Sequence, residues 1–63
     1  MNLALRRARK AKGLTQVQLA IDARVSINTI RNAEFGLPVT DATKRKIASA
    51  LEVPVSTIFR SRR

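Results

Sequence analysis

The sequence predicts an all-α fold, a compact bundle of about five short helices in one domain of residues 1–63. Apolar residues recur at the three- and four-residue spacing of an amphipathic helix. They do not alternate with polar residues over the length of a strand. Residues that cap or stop helices divide the chain into segments of about 8–11 residues. These observations together favour several short helices over any arrangement of strands.

The first two helices are predicted from Gly13 and Thr15. Gly13 favours the left-handed conformation that ends a helix, so the first helix is expected over about residues 3–12. Thr15 and Gln18 have the spacing of a capping box, which predicts a second helix over residues 16–23. The apolar positions of these helices are Leu5, Ala8 and Ala11, then Leu19, Ala20 and Ala23.

The third helix is predicted from Ile27 to about Phe35, with Ser26 as its N-cap. Gly36 and Pro38 follow and prevent its continuation. The short break after the second helix places two helices close together, in the arrangement of a helix-turn-helix motif over about residues 16–35. The residues expected to point inward from the third helix are Ile30 and Ala33.

The remaining helices are predicted from Thr40 and Pro54. Thr40 is a suitable cap for a fourth helix over residues 41–51, whose first-turn Asp41 complements the helix dipole. A short fifth helix is expected to start near Pro54 or Val55. Residues 60–63 form a basic tail that is expected to be frayed. The expected inward positions are Ile47, Ala48, Ala50, Leu51 and Ile58, and Lys44, Arg45 and Lys46 are expected to be mostly solvated.

The composition limits the possible functions. Thirteen Lys and Arg residues against four Asp and Glu give a net charge of +9, which favours nucleic acid as a partner, with an anionic membrane surface second. The chain has no cysteine and no histidine, so disulfides, thiolate zinc sites and a Ser–His–Asp triad are excluded. We therefore expect no enzyme activity, no metal and no cofactor.

Membrane insertion and export are not predicted. No apolar stretch approaches the roughly 20 residues of a membrane span, and the first residues lack the apolar run of a secretory signal. The N-terminal segment is rich in Arg and poor in acidic residues, as organellar targeting peptides are, but it also fits the first helix. A cytoplasmic location is expected.

The outer face of the third helix has the chemistry of base recognition. Because Ile30 and Ala33 point inward, Asn28, Arg31 and Asn32 lie on the outer face, and Ile27 is expected to be exposed beside them. Asn can pair with adenine, Arg with guanine, and an apolar side chain can contact the thymine methyl group. The alternative is that the Asn side chains are ordinary exposed polar groups.

The spacing of residues along nearly the whole chain resembles the lambda-repressor-like (Cro/repressor, XRE-type) helix-turn-helix family. Phage repressors of this family place their second motif helix in the major groove of DNA. The residues that carry the resemblance are Leu14-Thr15-Gln16, Leu19-Ala20, Val25-Ser26, Ile30, Glu34, Gly36, Pro38, Ile47-Ala48, Ala50-Leu51, Val53 and Ile58-Phe59.

The resemblance implies further DNA contacts. Gln16 is expected to contact a phosphate or a base, the alternative being support of the helix start. Ser26 and Thr29 are candidate base or phosphate contacts, although the capping role of Ser26 competes for the same hydroxyl. Thr40 and Thr43, at the start of the fourth helix, are expected to meet backbone phosphates.

The resemblance also implies structural roles. Arg9 and Glu34 match a salt bridge that ties the first helix to the third, so Glu34 is interpreted as structural rather than catalytic. Arg24 and Glu52 stand where the family usually has Gly, at a cost of roughly 1 kcal/mol each if they are left-handed. Arg24 is either an additional phosphate contact or a solvated turn residue. Ala33 replaces a bulkier residue, so the core is expected to be thin there.

These observations predict a sequence-specific DNA-binding transcription regulator of phage or bacterial type, either a Cro-type protein or a repressor. Double-stranded DNA with an inverted-repeat operator is the expected partner, bound by a weak homodimer that DNA strengthens. The contact between the two chains of this dimer is expected in the fifth helix. The alternative is an antitoxin or co-regulator whose main partner is a protein, with Ile21, Leu37 and Val39 as the candidate apolar patch. A membrane-active peptide and an RNA-binding protein fit the sequence less well. The residues expected at the dimer contact are Val55, Thr57 and Phe59.

Overall fold

The computed structural model describes residues 1–59, and the predicted basic tail of residues 60–63 lies outside the described residues. Within this part the chain forms helices and no strand, which confirms the predicted all-α fold. The helices are α1 (Leu3–Ala11), α2 (Gln16–Ala23), α3 (Ile27–Phe35), α4 (Asp41–Leu51) and α5 (Val55–Ile58). None of these helices is long and apolar enough to cross a membrane.

Side chains cap the starts of α1 to α4. The capping box of α2 is complete, because the Gln18 amide donates to Thr15 Oγ1 (3.0 Å) and the Thr15 amide donates to Gln18 Oε1 (2.8 Å). Ser26 and Thr40 cap α3 and α4 with one hydrogen bond each, in which the hydroxyl oxygen accepts from the amide of Thr29 or Thr43. Asn2 caps α1 by accepting from the Leu5 amide, and the sequence pattern did not identify this cap.

Within residues 1–59, four residues near helix ends have a left-handed backbone. Gly13 and Gly36 have φ angles of 71° and 100°, and a Cβ on Gly36 would lie 3.0 Å from the backbone nitrogen of Met1. Arg24 and Glu52 end α2 and α4 with φ angles of 61° and 60°, where glycine is the residue with no steric penalty. Arg24 and Glu52 therefore keep the left-handed turns that glycine would form, but their backbone is strained.

The core lies where α1 to α4 meet. Leu5, Leu19, Ile30 and Ile47, one from each helix, are fully buried at its centre. α2 packs against both α3 and α4, and α1 packs against α3 and α5. The rest of the core contains Leu51 and Ile58 together with four small residues, which allow the helices to approach closely: Ala20, Ala23, Ala33 and Ala48.

The prediction that Ala11 lies on the apolar side of α1 is wrong, because Ala11 is exposed. The buried side chains of α1 are Leu5 and Arg9, four residues apart. At 3.6 residues per turn, Ala11 lies about 160° around the helix from Arg9 and faces solvent. The apolar pattern placed Ala11 on the inward side, but the charged Arg9 is the residue that is buried there.

Asn2 links the start of α1 to two other helices of the bundle. Its side chain donates from Nδ2 to the carbonyl oxygen of Ile58 (3.0 Å), and its amide donates to the carbonyl oxygen of Glu34 (2.7 Å). Phe59 follows Ile58, and the Lys44 ammonium lies 5.8 Å from the centroid of its ring. The start of α1 is thereby fixed to the ends of both α3 and α5.

Candidate nucleic-acid interface

The outer surface of α3 presents three polar side chains to solvent. Asn28, Arg31 and Asn32 are all exposed, and their spacing of three and four residues places them on one face of the helix. The side-chain hydrogen bonds that α3 makes within residues 1–59 involve Thr29 and Glu34 instead. The hydrogen-bonding groups of this outer face are thus available to a ligand.

The expectation that Ile27 is fully exposed needs correction. Ile27 is half-buried and packs against the core cluster. It precedes the buried Ile30 by three residues, so the two side chains lie on adjoining parts of the helix surface. Packing within the domain accounts for much of this apolar side chain, and only its outer part is left for a thymine methyl group.

The hydroxyl groups at the start of α3 are paired with each other. Ser26 Oγ accepts a hydrogen bond from the Thr29 amide (3.1 Å) and lies 2.9 Å from Thr29 Oγ1. Thr40 and Thr43 repeat this arrangement at α4, where Thr40 Oγ1 donates to Thr43 Oγ1 (3.0 Å) and accepts from the Thr43 amide (3.1 Å). All four side chains support helix starts, whatever else they contact.

Gln16 is attached to α3 through Glu34. It is the first residue of α2, and its Nε2 donates to Glu34 Oε1 over 3.1 Å. The Gln16 side chain is half-buried, so part of it remains at the surface. Sequence reasoning missed this hydrogen bond, because no local pattern indicates which side chain of another helix will meet a residue at a helix start.

Glu34 is the centre of a buried polar cluster. It is 4% exposed, and its Oε2 accepts from Arg9 Nε over 2.5 Å while Oε1 accepts from Arg9 Nη2 over 3.4 Å. Arg9 Nη1 also donates to the carbonyl oxygen of Leu14 (2.9 Å), and Arg6 Nε lies 3.9 Å from Glu34 Oε1. The buried carboxylate has cationic partners on α1, so the cluster ties α1 to α3.

The exposed charge of the domain is predominantly positive. Of the four carboxylates, Glu34 is buried in its cluster, Glu52 accepts from Lys12 Nζ over 2.9 Å, and Asp41 lies 3.8 Å from Lys44 Nζ. The hydrogen bond and charge of Lys12 hold the pKa of Glu52 below its usual value. Within residues 1–59 no three His, Cys, Asp or Glu side chains lie close enough to hold a metal ion.

Two further observations concern the predicted solvated cations. Arg45 and Lys46 of α4 are exposed, as expected. They nevertheless line one cleft together with Arg24 from the end of α2. No sequence pattern joins these positions, because the packing of α2 against α4 creates the cleft.

An all-helical domain with two capped helices around a tight turn and a polar outer face on the second has the arrangement of a helix-turn-helix domain. The family model described as helix-turn-helix matches residues 5–58. The chain belongs to this XRE-type, lambda-repressor-like family of DNA-binding transcription regulators. Comparisons with the curated proteins and with the solved structures gave no match.

Proposed function

We propose that the protein is a Cro-type or repressor-type regulator that recognises an operator sequence by placing α3 in the major groove. The observation that supports this most directly is the outer face of α3, where Asn28, Arg31 and Asn32 are exposed and lack side-chain partners among residues 1–59. Asn is suited to adenine and Arg to guanine. Each well-formed pair contributes about 1–3 kcal/mol of discrimination against the wrong base.

The other proposed contacts position the protein on the DNA backbone. Gln16 donates to Glu34 and remains half-exposed. The remaining proposed contacts are Ser26, Thr29, Thr40 and Thr43, together with the outer part of Ile27. In each pair one hydroxyl proton is donated to the other hydroxyl, so one hydroxyl per pair, that of Thr43 in the second pair, keeps a proton to donate to a phosphate oxygen.

Selection of bound sequences from a random duplex pool tests this proposal. The wild-type chain is expected to enrich an inverted-repeat motif, since dimeric helix-turn-helix proteins bind two half-sites. An Asn28→Ala, Asn32→Ala variant is expected to lose the preference at the contacted bases. Arg7→Ala, which removes an exposed polar group from α1, serves as the control and should enrich the same motif as wild type. Absence of any enriched motif for the wild-type chain would contradict the proposal.

We also propose weak homodimerisation through α5 that DNA strengthens. Thr57 is exposed, whereas Val55 and Phe59 are half-buried against the core, so only part of each apolar side chain remains for a partner. This small area favours a dimer that forms mainly on two adjacent half-sites. Sedimentation is expected to show monomers in the absence of DNA and two chains per operator in its presence. One chain per site at saturation would contradict this proposal.

A second candidate function is supported by an exposed apolar pair on α2. Val17 and Ile21 are 55% and 68% exposed and lie four residues apart on one face. Leu37 is also exposed, whereas Val39 is half-buried against the core and contributes less to such a patch. These residues fit an antitoxin or co-regulator whose main partner is a protein. A Val17→Ser, Ile21→Ser variant that still binds the selected DNA motif but has lost its regulatory activity would favour this candidate.

A further inference from the structure

The two left-handed residues that are not glycine differ in one respect. Glu52 is held by Lys12, whose Nζ lies 2.9 Å from its carboxylate, so its side chain has a partner that a glycine would not provide. Arg24 has the same backbone conformation, with φ 61° and ψ 44°. Its guanidinium makes no ion pair or side-chain hydrogen bond within residues 1–59. A strained residue whose side chain has no partner of its own suggests an external one.

Arg24 lies in a cleft between α2 and α4 with two further cations. The cleft has a volume of about 480 Å³ and is open to solvent, and Arg45 and Lys46 contribute to its α4 wall with the hydroxyl of Ser49. Among the residues that the structure describes, Asp22 is the one carboxylate that lines it, so three cations there stand against a single negative charge. No residue of α3 lines this cleft, which distinguishes it from the surface proposed to recognise bases.

We infer that this cleft binds a phosphate group of a nucleic-acid backbone, as a contact separate from the proposed base recognition by α3. A phosphodiester carries one negative charge and two exposed oxygens. Guanidinium groups can donate to both of these oxygens at once, and an ammonium and a hydroxyl can complete the contact. The cleft offers all three kinds of donor, and the apolar residues that line it are the small side chains of Ala23 and Ala50. The ligand class is therefore double-stranded nucleic acid, bound through phosphate and without regard to sequence.

The test uses the whole chain and a duplex of arbitrary sequence, so that it does not depend on any operator. The cleft variant is Arg45→Gln, Lys46→Gln, and the control is Arg7→Gln, Lys10→Gln. Each removes one exposed Arg and one exposed Lys from a helix and lowers the net charge equally. Arg24→Asn is a third variant, because Asn tolerates the left-handed backbone and carries no charge.

Affinity is measured over a range of salt concentrations for all four chains. Loss of one phosphate contact is expected to reduce the slope of log affinity against log salt by about 1. We expect this reduction for the cleft variant and for Arg24→Asn, and a clearly smaller change for the α1 control. Equal effects of the cleft variant and the control would overturn the inference, since they would reflect overall charge alone. An unchanged slope in the cleft variant would also overturn it and leave an acidic protein as the candidate ligand.

A second arm identifies the source of the phosphate. Energy transfer between short duplexes labelled separately with donor and acceptor reports whether one protein joins two duplexes. Transfer that the cleft variant loses assigns the contact to a second duplex, whereas no transfer with wild type assigns it to the flank of the same duplex. In both cases the salt slope decides the inference. The absence of an enriched motif would count against the proposed function and leave this result standing.

Discussion

The residue with the most demanding surroundings is Glu34. Its carboxylate is almost fully buried, and it depends on Arg9 and Gln16 for the partners that compensate for lost water. The net contribution of such a pair to stability is small, because both charges lose their hydration. Removal of one partner is costly, because the other charge then remains buried and uncompensated. The cluster therefore enforces one arrangement of α1, α2 and α3 more than it adds stability.

Replacement of Glu34 by Ala is expected to lower the free energy of unfolding by about 3–5 kcal/mol. A domain of 63 residues has a total of roughly 3–9 kcal/mol, so the variant should be close to unfolded at room temperature. Urea denaturation followed by circular dichroism measures the change. Glu52→Ala, which breaks an exposed ion pair, is the control and should have a small effect. A Glu34→Ala variant as stable as wild type would contradict the buried-pair interpretation.

The exposed pair of Lys12 and Glu52 has a measurable consequence of its own. Because Lys12 lowers the pKa of Glu52 in the folded state, the pair contributes to stability above the pKa of the unfolded chain. This contribution is lost as the pH falls through the lowered folded-state pKa. Carboxyl titration by NMR should give a pKa for Glu52 below that of an unperturbed Glu, and Lys12→Gln should return it towards that value. An identical pKa in both chains would contradict the pairing.

The elements follow from local sequence to different degrees. Thr15, Ser26 and Thr40 cap their helices as predicted, because a cap depends on a hydroxyl and on the backbone within three residues of it. The partial burial of Ile27 could not be obtained in this way. It depends on how far each helix is rotated against its neighbours, and only the packed core determines that rotation.

The same limit applies to the candidate site. The exposed face of α3 could be predicted, because Ile30 and Ala33 define its opposite side. The hydrogen bond from Gln16 to Glu34 and the cleft that contains Arg24 both form between helices. Their partners are separated in sequence by 18 residues or more, and no periodicity relates them.

The helix ends at Arg24 and Glu52 provide a matched pair of substitutions. Arg24→Gly should raise the free energy of unfolding by about 1 kcal/mol, because glycine adopts the left-handed conformation without steric cost. Glu52→Gly relieves the same strain but loses the hydrogen bond from Lys12, so its gain should be smaller. Thermal unfolding of both variants measures the difference. A loss of stability in Arg24→Gly would mean that the Arg24 side chain has a partner within the domain.

At the scale of the whole molecule, the excess of positive charge is the dominant property. Thirteen cations and four carboxylates leave a net charge of +9 on a chain of 7.0 kDa. Three of these carboxylates are already paired with Lys or Arg side chains. The domain therefore presents a positive potential over much of its surface, which attracts DNA of any sequence before specific contacts form.

DNA affinity is accordingly expected to fall steeply with salt. A protein with about six phosphate contacts loses on the order of 1,000-fold in affinity between about 50 and about 200 mM salt. Fluorescence anisotropy with a labelled duplex measures this slope. The same titration with the selected motif and with unrelated DNA should give similar slopes of log affinity against log salt, with higher affinity for the selected motif at each salt concentration. An affinity that is independent of salt would contradict the electrostatic basis of binding.

The bond from Asn2 to the carbonyl oxygen of Ile58 joins residues 56 positions apart. Most other contacts in a small helical bundle are local and form quickly. This closure needs residue 58, so a nascent chain on the ribosome can form its early helices but cannot lock α1 in place until that residue has left the exit tunnel. Completion of the fold, and with it the fixed orientation of α3, is therefore expected only after α5 has been synthesised and has left the tunnel.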